Sequence, residues 1–171
     1  AFQVAMDGGS LDTSLAVLIA AAVDQADGET RCAFYLADRD GAQLRHIVGM
    51  PDSYAQQGGF VISPESLACG LAVALGEPVI TPDVREEPRW QPWLWLARDF
   101  GYCGCWSFPV ETATGELVGS FAMYFAEPRT PTPRDRELAA ALTQAGAIII
   151  SRFQAETALR GSEERLRLLV A

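Results

Sequence analysis

Four cysteines and one histidine have the widest chemical reach in this chain. Cys32, Cys69, Cys103 and Cys105 are potential thiolate nucleophiles or soft-metal ligands, and His46 is the sole imidazole. On an extended segment Cys103-Gly104-Cys105 puts two thiols on one face, because strand side chains alternate with a period of two. A structural zinc site wants four ligands, usually as two close pairs, and Cys32 and Cys69 would have to converge on this one from distant segments. No Lys or His stands beside a cysteine to lower its pKa. The simplest reading of the four is small buried hydrophobes. Glu86-Glu87 and Glu163-Glu164 are sequence neighbours, so on a helix they do not face each other and read as solvated. There is no phosphate-cradling glycine loop, nucleophile elbow or HExxH. Catalysis has no visible machinery.

Binding has more to work with. Trp90, Trp93 and Trp95 fall inside six residues, and Trp106, Met123 and Tyr124 lie on two later apolar runs. Small-molecule sites are mostly apolar with a few converging polar groups, and Asp83, Arg85 and Ser107 are placed to supply them. The tryptophans either wall such a pocket or close the core on that side.

The elements that must position these residues follow from spacing and punctuation. Ser10 is an N-cap and Asp12 favours a first turn; Leu11, Leu15, Leu18, Ile19, Ala22 and Val23 then recur at helical spacing until Asp27-Gly28. Arg31 to Ala37 and Gln43 to Gly49 flank an Asp-Gly turn and predict a hairpin. A looser stretch, Pro51 to Gly59, leads into Phe60-Val61-Ile62. Ser63-Pro64-Glu65 reads as a cap and N1 proline for an apolar helix ending at Gly76. Pro78 to Thr81 fits one short strand, and a loop from Asp83 gives way to a helix near Pro92.

Gly104 to Val110 and Leu117 to Phe125 predict a second hairpin around Thr112-Ala113-Thr114-Gly115. In its first strand Trp106, Phe108 and Val110 share one face, while Cys105 and Ser107 share the other. After the proline-rich 128–133, Thr132-Pro133-Arg134-Asp135 resembles a capping box and opens a long helix. Its stripe is Leu138, Leu142, Ala145, Ile149, Phe153 and Leu159. Gly161 is read as an interruption and Ser162-Glu163-Glu164-Arg165 as a second helix start. The order helix, hairpin, strand, helix, strand, helix, hairpin, helix implies an antiparallel α+β fold.

Composition bounds the function. A chain of 171 residues supports one full core. Acidic residues outnumber basic ones, 22 to 13, for a net charge of −9, the wrong sign for nucleic acid or an anionic membrane surface. No run of 18 apolar residues predicts a membrane span. No signal-peptide core precedes the first helix, so a reduced, cytoplasmic setting is expected for the thiols. The chain opens on Ala1, and its last ten residues read as the beginning of another unit, so a fragment of a longer protein is expected.

Several segments together resemble a GAF domain, of the kind that precedes a PAS domain in bacterial sensor histidine kinases. They are Ser66-Leu67-Ala68-Cys69-Gly70, Gly76-Glu77-Pro78-Val79-Ile80, Asp83 with Pro88-Arg89-Trp90, Cys105-Trp106-Ser107-Phe108-Pro109-Val110, and Gly115 to Tyr124 with Glu127-Pro128-Arg129. Residues 162–170 are similar to the first helix of a PAS domain. The resemblance implies an antiparallel sheet of about six strands flanked by helices, with a small-molecule pocket on one face. Its implied units are a lead-in over 1–9, the domain over 10–155, and a signalling linker helix with the PAS start over 156–171.

Members of this family bind cyclic nucleotides, tetrapyrroles, haem, amino acids or other small molecules, so no cofactor is assigned. A Cys-attached bilin wants a neighbouring His, and none of the four cysteines is followed by one. His46 reads as a partly exposed strand residue rather than a haem ligand. The expected ligand-contacting residues are Trp90, Trp93, Trp95, Trp106, Met123, Tyr124 and Asp83, with Cys69 and Cys105. Leu142, Ile149 and Phe153 are expected at a homodimer seam. The expected function is sensory: binding or dimerisation alters the terminal helices and so a downstream PAS and kinase module. The alternative is a thiol-dependent redox enzyme of the free methionine sulfoxide reductase type.

Overall fold

The computed structural model describes residues 10–26, 29–55 and 60–170; the 1–9 lead-in, the Asp27-Gly28 stop and 56–59 of the looser stretch lie outside the described residues. Along the chain run α1 (Leu11–Ala26), β1 (Arg31–Ala37), β2 (Gln43–Val48), a single turn α2 (Asp52–Ala55) and β3 (Phe60–Val61). Then come α3 (Ala68–Leu75), β4 (Val79–Thr81), two 3-10 segments (Val84–Glu86 and Pro88–Trp93), α4 (Leu94–Asp99), β5 (Gly104–Glu111), β6 (Leu117–Phe125) and α5 (Pro133–Val170). The strands form one six-stranded sheet in the order β3-β2-β1-β6-β5-β4, every neighbouring pair antiparallel. This is the antiparallel α+β architecture that the pattern of elements implies.

The two faces of the central strands differ in side-chain size. On one face Cys32, Phe34 and Leu36 of β1, Trp106, Phe108 and Val110 of β5, and Phe121 and Met123 of β6 pack under α1 and α5. Phe34 pairs directly with Phe121 across the ladder, their rings 4.9 Å apart. On the other face stand Ala33 and Tyr35, Cys105 and Ser107, and Ser120, Ala122 and Tyr124. Ala33 and Ser107 both pair with Ala122, so the middle of this face is a shallow floor of small residues. The segments from α2 to α4 cover it.

Local signals explain most of the ends. Ser10 Oγ accepts from the Thr13 amide at 3.2 Å, the expected N-cap of α1. At α5 Thr132 Oγ1 accepts from the Asp135 amide while Asp135 accepts from the Thr132 amide, a reciprocal capping box with Asp in the Glu position. Two expectations need correcting. Ser63-Pro64-Glu65 does not cap α3, which starts five residues later with Leu67 at the N-cap and no side-chain cap. Ser63 Oγ instead bonds the Glu65 amide and carboxylate within its own turn.

Gly161 does not interrupt the last helix, so α5 is one helix of 38 residues. A lone glycine costs a helix about 1 kcal/mol relative to Ala, and here the i, i+4 ladder runs through it. Leu142 and Ile149, expected at a dimer seam, are buried in the core of their own chain, whereas Phe153 is 44% exposed. From residue 151 onward α5 is exposed except at half-buried Ser151 and Gly161, a length of about 30 Å.

Gly146 is where α5 lies closest to the sheet. A Cβ there would stand 2.5 Å from Phe34 Cε1, and the Phe34 ring is itself fully buried against Phe121. Gly146→Ala should therefore destabilise the chain by about 1–3 kcal/mol through overpacking, despite alanine's better helix propensity. Equilibrium urea unfolding reads the change in midpoint; an unchanged or raised midpoint would show that this packing is not as tight as described.

Candidate functional site

Beside the small-residue floor, on which α3 packs through Cys69, the segments from α2 to α4 form a partly open cavity of about 430 Å³. Its deep end is formed by Tyr35, Tyr124 and Cys69, one side by Tyr54, Phe60 and Val61, and the other by Trp90, Trp93 and Leu96; the turn from Ser63 to Ala68 closes the rim. A smaller hollow of about 370 Å³ lies behind α3, against β4, and shares Leu67, Ala68, Arg89 and Trp90 with the first.

Tyr35 of β1, Tyr54 of α2 and Tyr124 of β6 line it, and Tyr102, from the turn before β5, packs behind them. The Tyr35 and Tyr124 hydroxyls hydrogen-bond to each other, and those of Tyr54 and Tyr102 lie 3.4 Å apart. Their rings pack mostly edge to face, Tyr54 against Tyr124 and Phe100, Tyr102 against Trp90. Cys69, in the first turn of α3, has its Sγ 3.2 Å from Ser107 Oγ, and Cys105 Sγ is 4.0 Å from the same hydroxyl. Burial pushes the Cys69 thiol up to about 11, and raises Cys105, Tyr35, Tyr54, Tyr102 and Tyr124 above their ordinary values. The interior is polar but uncharged.

Charge sits only at the rim. Arg89 Nη1 donates to the carbonyls of Pro64 and Ser66, both at 2.8 Å, and so clasps the turn that closes the cavity. Glu65 is held below the ordinary carboxyl range by its bond from Ser63. In the same segment Ala68 adopts φ +48°, the one non-glycine residue with positive φ among those described. The same first turn explains the constraint: a Cβ on Gly70 would lie 2.0 Å from the Val61 carbonyl oxygen, so α3 is pressed against β3 where it begins.

Among the residues expected to contact a ligand, Cys69, Trp90, Trp93 and Tyr124 line this cavity. Cys105 is buried beneath it with Ser107. Trp95 lies beside Trp93, ring centroids 6.5 Å apart, and faces outward. Asp83 caps a 3-10 segment and binds the Arg85 guanidinium through both oxygens, which occupies both groups away from the cavity. Trp106 and Met123 stand on the opposite face, as the period of two demands. Trp106 is buried against Phe125, with its indole N–H donating to the Arg129 carbonyl. His46 is exposed and pairs with Asp12 of α1 at 2.6 Å.

A family model for the GAF domain matches residues 10–151. The chain belongs to the GAF family. A curated relative, the methyl sulfide methyltransferase-associated sensor of Methanosarcina acetivorans, is 28% identical over 165 residues, covering 95% of this chain and 16% of its own length. This GAF chain thus spans about one sixth of that relative. Among solved structures, a domain described as that of a two-component sensor histidine kinase protein from Sinorhizobium meliloti superposes with a TM-score of 0.69 at 19% identity, covering 90% of this chain and 99% of the other. The reduced form of fRMsr from Staphylococcus aureus gives a TM-score of 0.63 at 15% identity, covering 86% and 88%. These likenesses show the fold.

Residue spacing missed Tyr35, Tyr54 and Tyr102. Tyr35 was within reach, since it shares the strand face whose neighbours are small. Tyr54 falls in a stretch without periodicity and Tyr102 in a turn, and nothing local marks either.

Two outcomes follow from this geometry. Ala68→Gly should stabilise the free chain by about 1 kcal/mol, because glycine takes positive φ without steric cost; an unchanged urea midpoint would mean that the backbone is unstrained there. The raised tyrosine and cysteine pKa values also set the response to alkali. The folded chain keeps protons that the unfolded chain releases from about pH 9 upward, so their contribution to stability is full below that pH and falls as pH rises, through about 11 for Cys69. Each such group removes about 1.4 kcal/mol per pH unit in that window. Tyrosinate absorbance should stay flat up to the unfolding transition and then appear all at once; a gradual rise in the folded chain would contradict the burial described.

Proposed function

We propose that this domain senses a small molecule in the aromatic cavity and passes the binding energy to α5, and through α5 to a following PAS and histidine kinase module in the same protein. The observation that carries the reading is the shared strands. Cavity-side Cys105 and Tyr124 alternate along β5 and β6 with Trp106, Met123 and Phe125, which pack under the terminal helices. A shift of the β6 backbone at Tyr124 carries Met123 and Phe125 with it, because one strand holds all three. A ligand biases α5 only by as much as its affinity differs between two arrangements of the domain.

The exposed end of α5 suits pairing with a second copy. Ile148, Ala155, Leu159, Ser162, Leu166 and Leu169 recur at alternating three- and four-residue steps after a first step of seven, the seam spacing of a two-stranded coiled coil. Ile148, Leu159 and Leu166 are 49%, 60% and 59% exposed. In this register Phe153 lies beside the seam rather than in it. Residues 10–155 remain the proposed sensory unit, and 156–171 the linker and the entry to the next domain, in a cytoplasmic setting. Among the described residues no helix is long and apolar enough to cross a membrane.

A second reading, a thiol-dependent reductase, is favoured by one feature: Cys69 lines the cavity with Cys105 close behind, on a fold like that of fRMsr. The thiol chemistry runs against it. Burial raises both thiols, whereas a nucleophilic cysteine needs its pKa lowered. We assign no catalytic step to this domain.

Native mass spectrometry of the purified chain, compared with its denatured mass, tests the sensory reading. A dimer carrying extra mass that is lost on denaturation is expected. A Leu159→Asp/Leu166→Asp variant should be monomeric with the extra mass retained. A bare chain in every charge state, with no small molecule detected after gentle purification from its native host, would count against a sensory cavity, and reductase activity abolished by Cys69→Ser would replace that reading with the enzymatic one.

A further inference from the structure

The chemistry of the cavity walls restricts what can enter, given the sensory reading on which this inference rests. Aromatic and aliphatic side chains form most of the surface, and the polar groups at the deep end are the hydroxyls of Tyr35, Tyr54 and Tyr124 and the Cys69 thiol. Burial holds all four in their neutral forms. The cation among the lining residues is Arg89, and its Nη1 is already bonded to two backbone carbonyls of the rim, with Glu65 on the same turn. A carboxylate or phosphate brought to the deep end would lose its water without gaining a counter-charge, which is prohibitive for an ion.

A buried cation is disfavoured for a different reason. Cages for ammonium groups need ring faces turned toward a common centre. Here Tyr54 stacks on Phe60 at 23° and meets Phe100 and Tyr124 edge to face, and Tyr102 packs against both Trp90 and Tyr124. The rings are turned on one another.

The hydroxyls provide the recognition. Every buried side-chain nitrogen and oxygen among the described residues has a partner, and for the cavity-side tyrosines these partners are other tyrosine hydroxyls. The hydroxyls of Tyr35, Tyr54 and Tyr124 hydrogen-bond to one another and Tyr54 also to Tyr102, and because a hydroxyl hydrogen rotates to suit its surroundings, this group can turn one donor toward a ligand acceptor. A volume of about 430 Å³ falls in the range of drug-sized sites.

We propose that the cavity takes an uncharged, largely apolar molecule with at least one hydrogen-bond acceptor, its acceptor on the Tyr35 and Tyr124 hydroxyls, and that it rejects carboxylates, phosphates and ammonium groups. A hydrocarbon of the same shape takes no hydrogen bond from these hydroxyls, so binding selects for a carbonyl oxygen or ring nitrogen toward which the tyrosine group can redirect a donor.

Four probes of similar size separate the possibilities in calorimetric titrations of the 171-residue chain: coumarin, naphthalene, 2-naphthoate and phenyltrimethylammonium. Coumarin should bind at least about tenfold more tightly than 2-naphthoate or phenyltrimethylammonium. The Tyr35→Phe/Tyr124→Phe variant, which removes both partners of a buried bond and is thus mild for the fold, should reduce coumarin affinity about tenfold and leave naphthalene unchanged. Tighter binding of the carboxylate or the ammonium overturns the proposed class while leaving a sensory cavity in place. Equal loss of coumarin and naphthalene affinity in the variant overturns the role of the hydroxyls. No binding by any of the four overturns the class and counts against the cavity reading as well. The comparison among probes on the unaltered chain stands by itself if the double variant fails to fold.

Discussion

The alternation of large and small side chains along β1, β5 and β6 is the constraint from which the rest of this domain follows. Phe34, Trp106, Phe108, Phe121 and Met123 all fall to one face, and the space they fill is the space under α1 and α5. Ala33, Ser107, Ser120 and Ala122 fall to the other, where their size lets α3 pack close, Cys69 Sγ standing 3.2 Å from Ser107 Oγ, and the cavity lies beside them against Tyr35 and Tyr124. A slip of one residue in any of these strands would put large rings where α3 packs and alanines or serines under α1 and α5. Register is thus fixed by volume as well as by hydrophobicity.

That arrangement also explains which parts were legible in the sequence. The central hairpins and α5 carry strong local signals, namely a two-residue period, turn glycines such as Gly115 at φ +87°, and a capping box. The limits of the hairpin strands and the start of α5 emerge within a residue or so of those expected. The same period of two already separates Trp106 from Cys105, and carried one strand further it separates Met123 from Tyr124. Trp106 and Met123 drop out of the cavity for that reason alone, although their residue types invite placing them there.

What was illegible depends on distant contacts. Ser63-Pro64-Glu65 has the composition of a helix start, but β3 presses on the first turn of α3 through Gly70 and delays the helix to Ala68. Gly161 has the composition of a break, yet one glycine does not outweigh the helical propensity of the residues on both sides. The stripe of α5 is continuous in sequence, and nothing in it marks where the domain's own core ends. Only the packing shows that Leu142 and Ile149 are used within the chain while Leu159 and Leu166 are not. The four tyrosines belong to the same class: four separate segments bring them together, and no spacing in the chain relates them.

The two faces answer to different demands, and a sensor needs both. Under the helices, Trp106 is fully buried, donates its N–H to the Arg129 carbonyl, and has the Arg129 guanidinium 5.4 Å from its ring. Arg129 in turn pairs with Asp135 in the capping box of α5, at 3.2 Å. The start of the long helix is therefore tied to β5 through one tryptophan and one arginine, and Cys105 and Ser107, the immediate neighbours of that tryptophan, lie beneath the cavity. Close packing on this side transmits displacement, because a dense interior has no free volume in which to absorb it. The cavity side is held differently, by hydroxyl pairs, a bent entry at Ala68 and a rim clasped by Arg89. On the proposed sensory reading, the shared strands β5 and β6 are what would join the two sides.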